Sequence, residues 1–185
     1  MSEAMTVEDV REAPAVAAEV IAPAAVETFV LCELAGATYG IPSREIAHLE
    51  MVGKITPVPN APAFVEGVVS ARGQVIPVLN LRARFGFPKV SADLRARVVV
   101  VRSGGRAVGL LVDGAREFAT IPLDTIRPPP DDIAQISGDY LEGLVEVGER
   151  LVLILRTKQL LEIEVETDTI NLSSAPAGDA EAILE

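Results

Sequence analysis

The segment Phe64 to Leu79, FVEGVVSARGQVIPVL, recurs in outline as Tyr140 to Leu155, YLEGLVEVGERLVLIL. Each copy runs aromatic, aliphatic, Glu, Gly, aliphatic, Val, then a glycine-containing turn, then an aliphatic run. An earlier pair extends the correspondence: GATYGI from Gly36 matches GRAVGL from Gly105, so Gly40 aligns with Gly109. Aligned on Glu66-Gly67 and Glu142-Gly143, the two hairpins match after a one-residue shift in the turn that sets Gly73 against Gly148. A repeat of hairpins, each too small to bury its own apolar face, predicts two similar small β-barrels packed together with a groove between them.

The rest of the chain fits this reading. Strands are expected at FVLCEL, TYGIP, AHLEMV, VEGVVS, QVIPVLNL, RVVVVR, AVGLLV, YLEGLVE and RLVLIL, separated by the glycine turns ARGQ, SGGR and VGER. Glycine supplies positive φ at low steric cost, and such tight loops let neighbouring strands pair antiparallel. Two proline-bearing connections, through Pro57, Pro59 and Pro62 and through Pro128, Pro129 and Pro130, are incompatible with central strands. Helical signals are confined to PSREIAH, NLRARFG and a short C-terminal helix in RTKQLLEIE. Aromatics make up only 4% of the chain, so the interior must come from Val, Leu, Ile and Ala, residues suited to β-structure. The expected organisation is an acidic N-terminal tail over residues 1–27, an ordered domain over 28–163, and an acidic tail over 164–185. Within the domain the barrels are expected at about 45–95 and 96–155, with 29–43 contributing strands.

Charge divides along the same boundaries. Residues 1–27 hold six acids against Arg11, residues 164–185 hold six acids and no base, and the segment between has fifteen of each sign. The tails are expected to be solvated, since they lack the apolar content to offset ordering. An acidic chain with a neutral ordered part is a poor partner for nucleic acid. No apolar run reaches the length of about 20 residues needed to span a bilayer, and acids stand where a signal peptide would carry cations, so a cytoplasmic protein without direct membrane insertion is expected.

Catalytic chemistry is sparse. The chain has one histidine, His48, and one cysteine, Cys32, on different strands, and neither a phosphate-binding loop nor a dinucleotide fingerprint is present. A single cysteine makes neither a disulfide nor a multi-cysteine metal site. No catalytic residue, metal or cofactor is therefore expected. Binding chemistry is better represented. Arg72 sits within the turn SARG, where a planar guanidinium is presented for a carboxylate or a carbonyl. His48 alternates with Ile46 and Glu50 along one strand face, opposite Ala47, Leu49 and Met51, which places His48 on a surface and Ile46 and Leu49 on opposite faces.

With these segments in hand, the chain resembles the CheW family of chemotaxis coupling proteins. The resemblance is carried by TYGIPSREIAHLE, ITPVPNAPAFVEGVVSARGQVIPVLNLR, AVGLLVDGAREF, IRPPP and YLEGLVEVGERLVLIL, in that order, over about Phe29 to Glu162. It implies two SH3-like five-stranded barrels and a non-catalytic adaptor recruited to receptor arrays. The partners it implies are the regulatory domain of a CheA-type histidine kinase, itself similar to CheW, and the cytoplasmic tips of methyl-accepting chemoreceptors. Kinase contacts are implied at barrel ends and receptor contacts around the groove between barrels. The candidate partner-binding residues are Arg72, Ile46, His48, Leu49, Gly67 and Asp132. The alternatives are a CheW-like adaptor with an output other than motility, and an unrelated small-barrel binding module.

Overall fold

The computed structural model describes residues 25–103, 105–133 and 140–162; the two tails expected from composition lie outside the described residues, apart from residues 25–27 of the first, and Ile163, the last residue of the expected domain, lies outside them as well. Ten strands form two five-stranded sheets. In chain order they are β1 (Val26–Leu34), β2 (Ala37–Pro42), β3 (Ile46–Met51), β4 (Val65–Ala71), β5 (Gln74–Asn80), β6 (Arg97–Ser103), β7 (Arg106–Val112), β8 (Gly114–Pro122), β9 (Leu141–Val147) and β10 (Arg150–Leu155). Helical elements include α1 (Leu81–Arg84) and α2 (Thr157–Leu161), with 3-10 turns at Ser43–Glu45 and Leu123–Thr125. Each of the three helical signals in the sequence is thus matched by a turn or short helix. No helix among the described residues is long and apolar enough to cross a membrane.

Barrel A has the strand order β8-β1-β2-β10-β9 and barrel B the order β3-β6-β7-β5-β4. Position by position, β8, β9, β10, β1 and β2 correspond to β3, β4, β5, β6 and β7. The barrels are therefore circular permutations of one another, and each contains one parallel contact, β10 with β2 and β5 with β7. This corrects the expected division. β6 and β7, placed by sequence in the second barrel, complete barrel B, whereas β8 to β10 return to pair with β1 and β2. Hydrogen bonding joins the two ends of the domain into barrel A, and proximity along the chain cannot show that. β8 was also absent from the expected strands, because the exposed run Arg116–Phe118 breaks its apolar pattern and its order comes from an extensive backbone ladder with β1.

Three apolar clusters explain why the central strands are buried on both faces. Phe29 and Leu31 of β1 fill barrel A with Val145, Val152 and Ile154. Val98 and Val100 of β6 fill barrel B with Ile76 and Val78. The alternate residues, Val30, Cys32 and Leu34 from β1 and Val99 and Val101 from β6, meet Leu79, Leu110 and Leu160 in a third cluster between the barrels. Alternation with period two sends successive side chains into different cores, so FVLCEL and VVVV read as continuous apolar runs.

The repeated Glu-Gly pair now has a physical role. Beyond β3, Thr56 exchanges two backbone hydrogen bonds with Val68 of β4, at 2.9 and 2.8 Å; beyond β8, Arg127 does the same with Leu144 of β9, at 2.9 and 2.8 Å. These two bridges link the edge strands of each sheet and close the barrels. The carbonyl that makes each closure passes over the preceding glycine: a Cβ on Gly67 would fall on Thr56 O, and one on Gly143 would lie 2.7 Å from Arg127 O. Only glycine admits so close an approach.

Candidate functional site

The turns of the two equivalent hairpins have equal length. Ser70 pairs with Val75 and Ala71 with Gln74, as Glu146 pairs with Leu151 and Val147 with Arg150. No shift is needed, so the structural counterpart of Gly148 is Arg72, not Gly73. Gly148 has φ +62°, and Arg72 occupies the same left-handed position with φ +50°, followed by Gly73 at +77°. A side chain in that region costs on the order of 1 kcal/mol. Arg72 is exposed and makes no hydrogen bond or ion pair with the described residues, so no internal contact offsets that cost.

The strand order sets further cations beside Arg72. β5 runs parallel to β7, with Val78 beside Gly109, so the β4–β5 turn stands at the same end of barrel B as the turn joining β6 to β7. Arg102 and Arg106 flank that second turn, both exposed and both without a partner among the described residues. Val75, one residue beyond the first turn, is 73% exposed. This end therefore carries three arginines free of intramolecular carboxylates beside an aliphatic side chain. The equivalent end of barrel A carries the opposite sign: Glu146 and Glu149 are exposed at the β9–β10 hairpin and unpaired among the described residues, beside Leu151 at 57% exposure. Its one hairpin cation, Arg150, is held bidentately by Glu117 at 2.6 and 2.9 Å, and that bonding draws the Glu117 carboxyl below its usual range.

Of the residues singled out from sequence, only Arg72 belongs to this end. Ile46 and Leu49 do not lie on opposite faces. The register of β3 against β6 slips between Ile46 and His48, so Ile46 pairs with Val101 and Leu49 with Val99. Both therefore pack against the cluster between the barrels, while Ala47 joins the interior of barrel B. A β-bulge breaks the period of two and is invisible to alternation. His48 is also corrected. Its side chain is only 14% exposed and its Nε2 is buried, 3.1 Å from Glu50 Oε1 but outside hydrogen-bonding alignment. Gly67 is the buried closure glycine, and Asp132 is an exposed acid beyond the proline run, whose side chain has no ion pair or hydrogen bond among the described residues.

Arg102, Arg106 and Val75 were not among the sequence candidates. The signal for the arginines was the symmetric RSGGR, in which a hairpin tip brings two cations together. The signal for Val75 was alternation carried back from the buried Ile76.

A strut holds the two barrels in register. Asp113, in the crossing between β7 and β8, accepts from Arg82 Nε at 2.8 Å and Nη2 at 2.7 Å, and from the Ala35 amide in the β1–β2 turn at 2.9 Å. The Arg82 bonds hold its carboxyl below the usual range despite partial desolvation. In barrel B, Glu66 accepts from Lys89 Nζ at 2.9 Å and Asn80 Nδ2 at 3.1 Å, and its carboxyl is likewise lowered, first by Lys89. Desolvation pushes the Cys32 thiol up to about 12, so it stays protonated at neutral pH. Among the described residues no group of three or more His, Cys, Asp or Glu is placed to hold a metal ion.

The sequence matches a known family model, that of the CheW-like domain, over residues 28–165. The chain belongs to the CheW-like family. It is 31% identical to the chemotaxis protein CheW of Klebsiella aerogenes over 138 residues, which is 75% of this chain and 83% of that one. It is 33% identical to the CheW of Helicobacter pylori over 67% of this chain and 74% of the relative. Among solved structures, the CheW-like scaffolding protein TtCheW from Thermoanaerobacter tengcongensis superposes with a TM-score of 0.69 at 30% identity, covering 75% of this chain and 89% of that protein.

Proposed function

We propose that this CheW-like chain is a non-catalytic adaptor that couples the cytoplasmic tips of chemoreceptors to the regulatory domain of a CheA-type histidine kinase. The observation that carries this reading is the oppositely charged pair of barrel ends, with Arg72, Arg102, Arg106 and Val75 on barrel B, and Glu146, Glu149 and Leu151 on barrel A. A kinase regulatory domain built like this chain would present ends of the same shape, so each end of the adaptor meets a complementary barrel. Charge of opposite sign fixes which end docks with which and speeds encounter, while the aliphatic side chain supplies apolar area. Arg72 stands at the tip of one of the two basic turns, and its uncompensated left-handed backbone is the kind of local cost found where a side chain is needed by a partner.

On this reading the receptor takes the groove expected between the barrels. Ile46 and Leu49 are partly buried against the cluster between the barrels, so they act through packing and not as exposed anchors. Holding kinase and receptor on separate surfaces converts their encounter into a local event at high effective concentration. The test is reconstituted kinase autophosphorylation with receptor fragments, paired with direct binding of the kinase regulatory domain. Arg72→Ala should weaken kinase binding and receptor-controlled activity together while its thermal melt stays at or above wild type. Wild-type activation by that variant would remove the basic end from the mechanism, and a folded wild-type protein that binds neither partner would remove the adaptor reading.

A further inference from the structure

The opposite end of barrel B carries a second exposed feature that the adaptor reading does not use. Leu94, in the connection between α1 and β6, is 86% exposed, and Met51, at the end of β3, is 69% exposed. The two are brought together by Arg97, the first residue of β6. Arg97 pairs with Met51 across the strands, and its Nη1 donates to Leu94 O at 2.8 Å and to Ala96 O at 2.7 Å.

Leu94 is held firmly despite its exposure. Asp93 Oδ1 accepts from the amides of Arg95 at 2.7 Å and Ala96 at 3.0 Å, and its Oδ2 accepts from Arg95 Nε at 3.2 Å. With the two bonds from Arg97, these contacts fix the backbone on both sides of the leucine. A large apolar side chain held out in solvent carries an unfavourable hydration cost, and the ordering of the backbone that presents it has already been met before any partner arrives.

The charge around it has one sign in excess. Among the described residues Arg97 has no carboxylate partner and the exposed Lys54 just beyond β3 is unpaired; Arg95 is balanced by Asp93, and Glu50, the acid beside Met51 on β3, turns to His48, 3.1 Å away. We propose that the Met51–Leu94–Arg97 corner docks an acidic segment of a partner protein that inserts an aliphatic or aromatic side chain between Leu94 and Met51. A protein segment fits better than a polyanion surface: the corner offers only two uncompensated cations, too few for nucleic acid or an anionic bilayer, whose affinity grows with the number of cations engaged. The corner and the Arg72 turn lie at opposite ends of β6, about 20 Å apart for a seven-residue strand, so both can be occupied at once.

The experiment is a titration of the isotopically labelled full chain, followed by amide chemical shifts, with two synthetic peptides, Glu-Glu-Phe-Leu-Glu-Glu and Lys-Lys-Phe-Leu-Lys-Lys. The acidic peptide should perturb residues 51, 94 and 97 and bind at least tenfold more tightly there than the basic one. Leu94→Ser, a substitution in open solvent, should leave the thermal melt unchanged and weaken that binding severalfold; Arg97→Glu should abolish the preference for acid. Equal perturbation by both peptides, shifts confined to the Arg72 end, unchanged binding by Leu94→Ser, or preferential binding of vesicles of phosphatidylserine and phosphatidylcholine at this corner would each overturn the proposal.

Discussion

The β4–β5 and β9–β10 hairpins are the same object built twice. Each has a closure glycine on its first strand, a two-residue turn, an exposed aliphatic residue just past the turn, and a short helix following its second strand. They differ where packing exerts no control. One turn reads Arg72-Gly73 and the other Gly148-Glu149, so one hairpin tip is basic and the other acidic. Residues that close the barrels are held to a common chemistry by geometry, whereas residues at the turns are free to differ and carry the specificity.

The largest expected effect tests the shared part. Gly67→Ala adds a Cβ onto the Thr56 carbonyl at φ +146°, while Gly143→Ala meets Ile126 Cγ2 at 2.5 Å and Arg127 O at 2.7 Å without a positive φ. Overpacking and backbone strain each cost about 1–3 kcal/mol, so chemical denaturation should show a loss of about 3–5 kcal/mol for Gly67→Ala and about 1–3 kcal/mol for Gly143→Ala. Equal small losses would mean that the bridges do not close the barrels.

The next effect concerns the strut that joins the barrels. Asp113→Asn removes the charge from a bidentate pair that also holds the Ala35 amide, and a loss of about 1–3 kcal/mol is expected at neutral pH. Because the folded carboxyl sits below its unfolded value, the unfolded state binds more protons between the two, and stability rises with pH there. The contribution is complete above the ordinary carboxylate range and is lost as pH falls through the depressed folded value. Melting curves of wild type and Asp113→Asn should therefore differ at pH 7 and converge in acid; a constant gap would show that the pair's charge is irrelevant.

Kinase binding probes the part that differs between hairpins. Arg72→Ala is expected to weaken it by about 1–3 kcal/mol if the guanidinium makes charge-assisted bonds, and Arg102→Ala and Arg106→Ala should do so by less. The smallest effect is the sharpest comparison. Arg72→Gly gives the first hairpin the residue its twin has at that position, and should raise stability by about 0.5–1 kcal/mol while binding falls as in Arg72→Ala. A variant that is neither more stable nor weaker in binding would leave the left-handed arginine without a role.

Much of this architecture is written in the order of residues. The repeated Glu-Gly hairpins, the glycine turns and the two proline connections imply paired five-stranded barrels, because period-two apolar runs bounded by turns have few other ways to be buried. The turn of Arg72 was legible for the same local reason. Which strands belong to which barrel was not, since β8 to β10 reach across the chain to β1 and β2, and hydrogen-bond partners at long range leave no mark in a segment's own pattern. The bulge at Ala47 turned Ile46 and Leu49 to the same core because one extra residue changes the face of all that follow it. Only the folded chain set Arg102 and Arg106 beside Arg72, through the parallel contact of β5 with β7, and made one end of barrel B a surface of three unpaired cations.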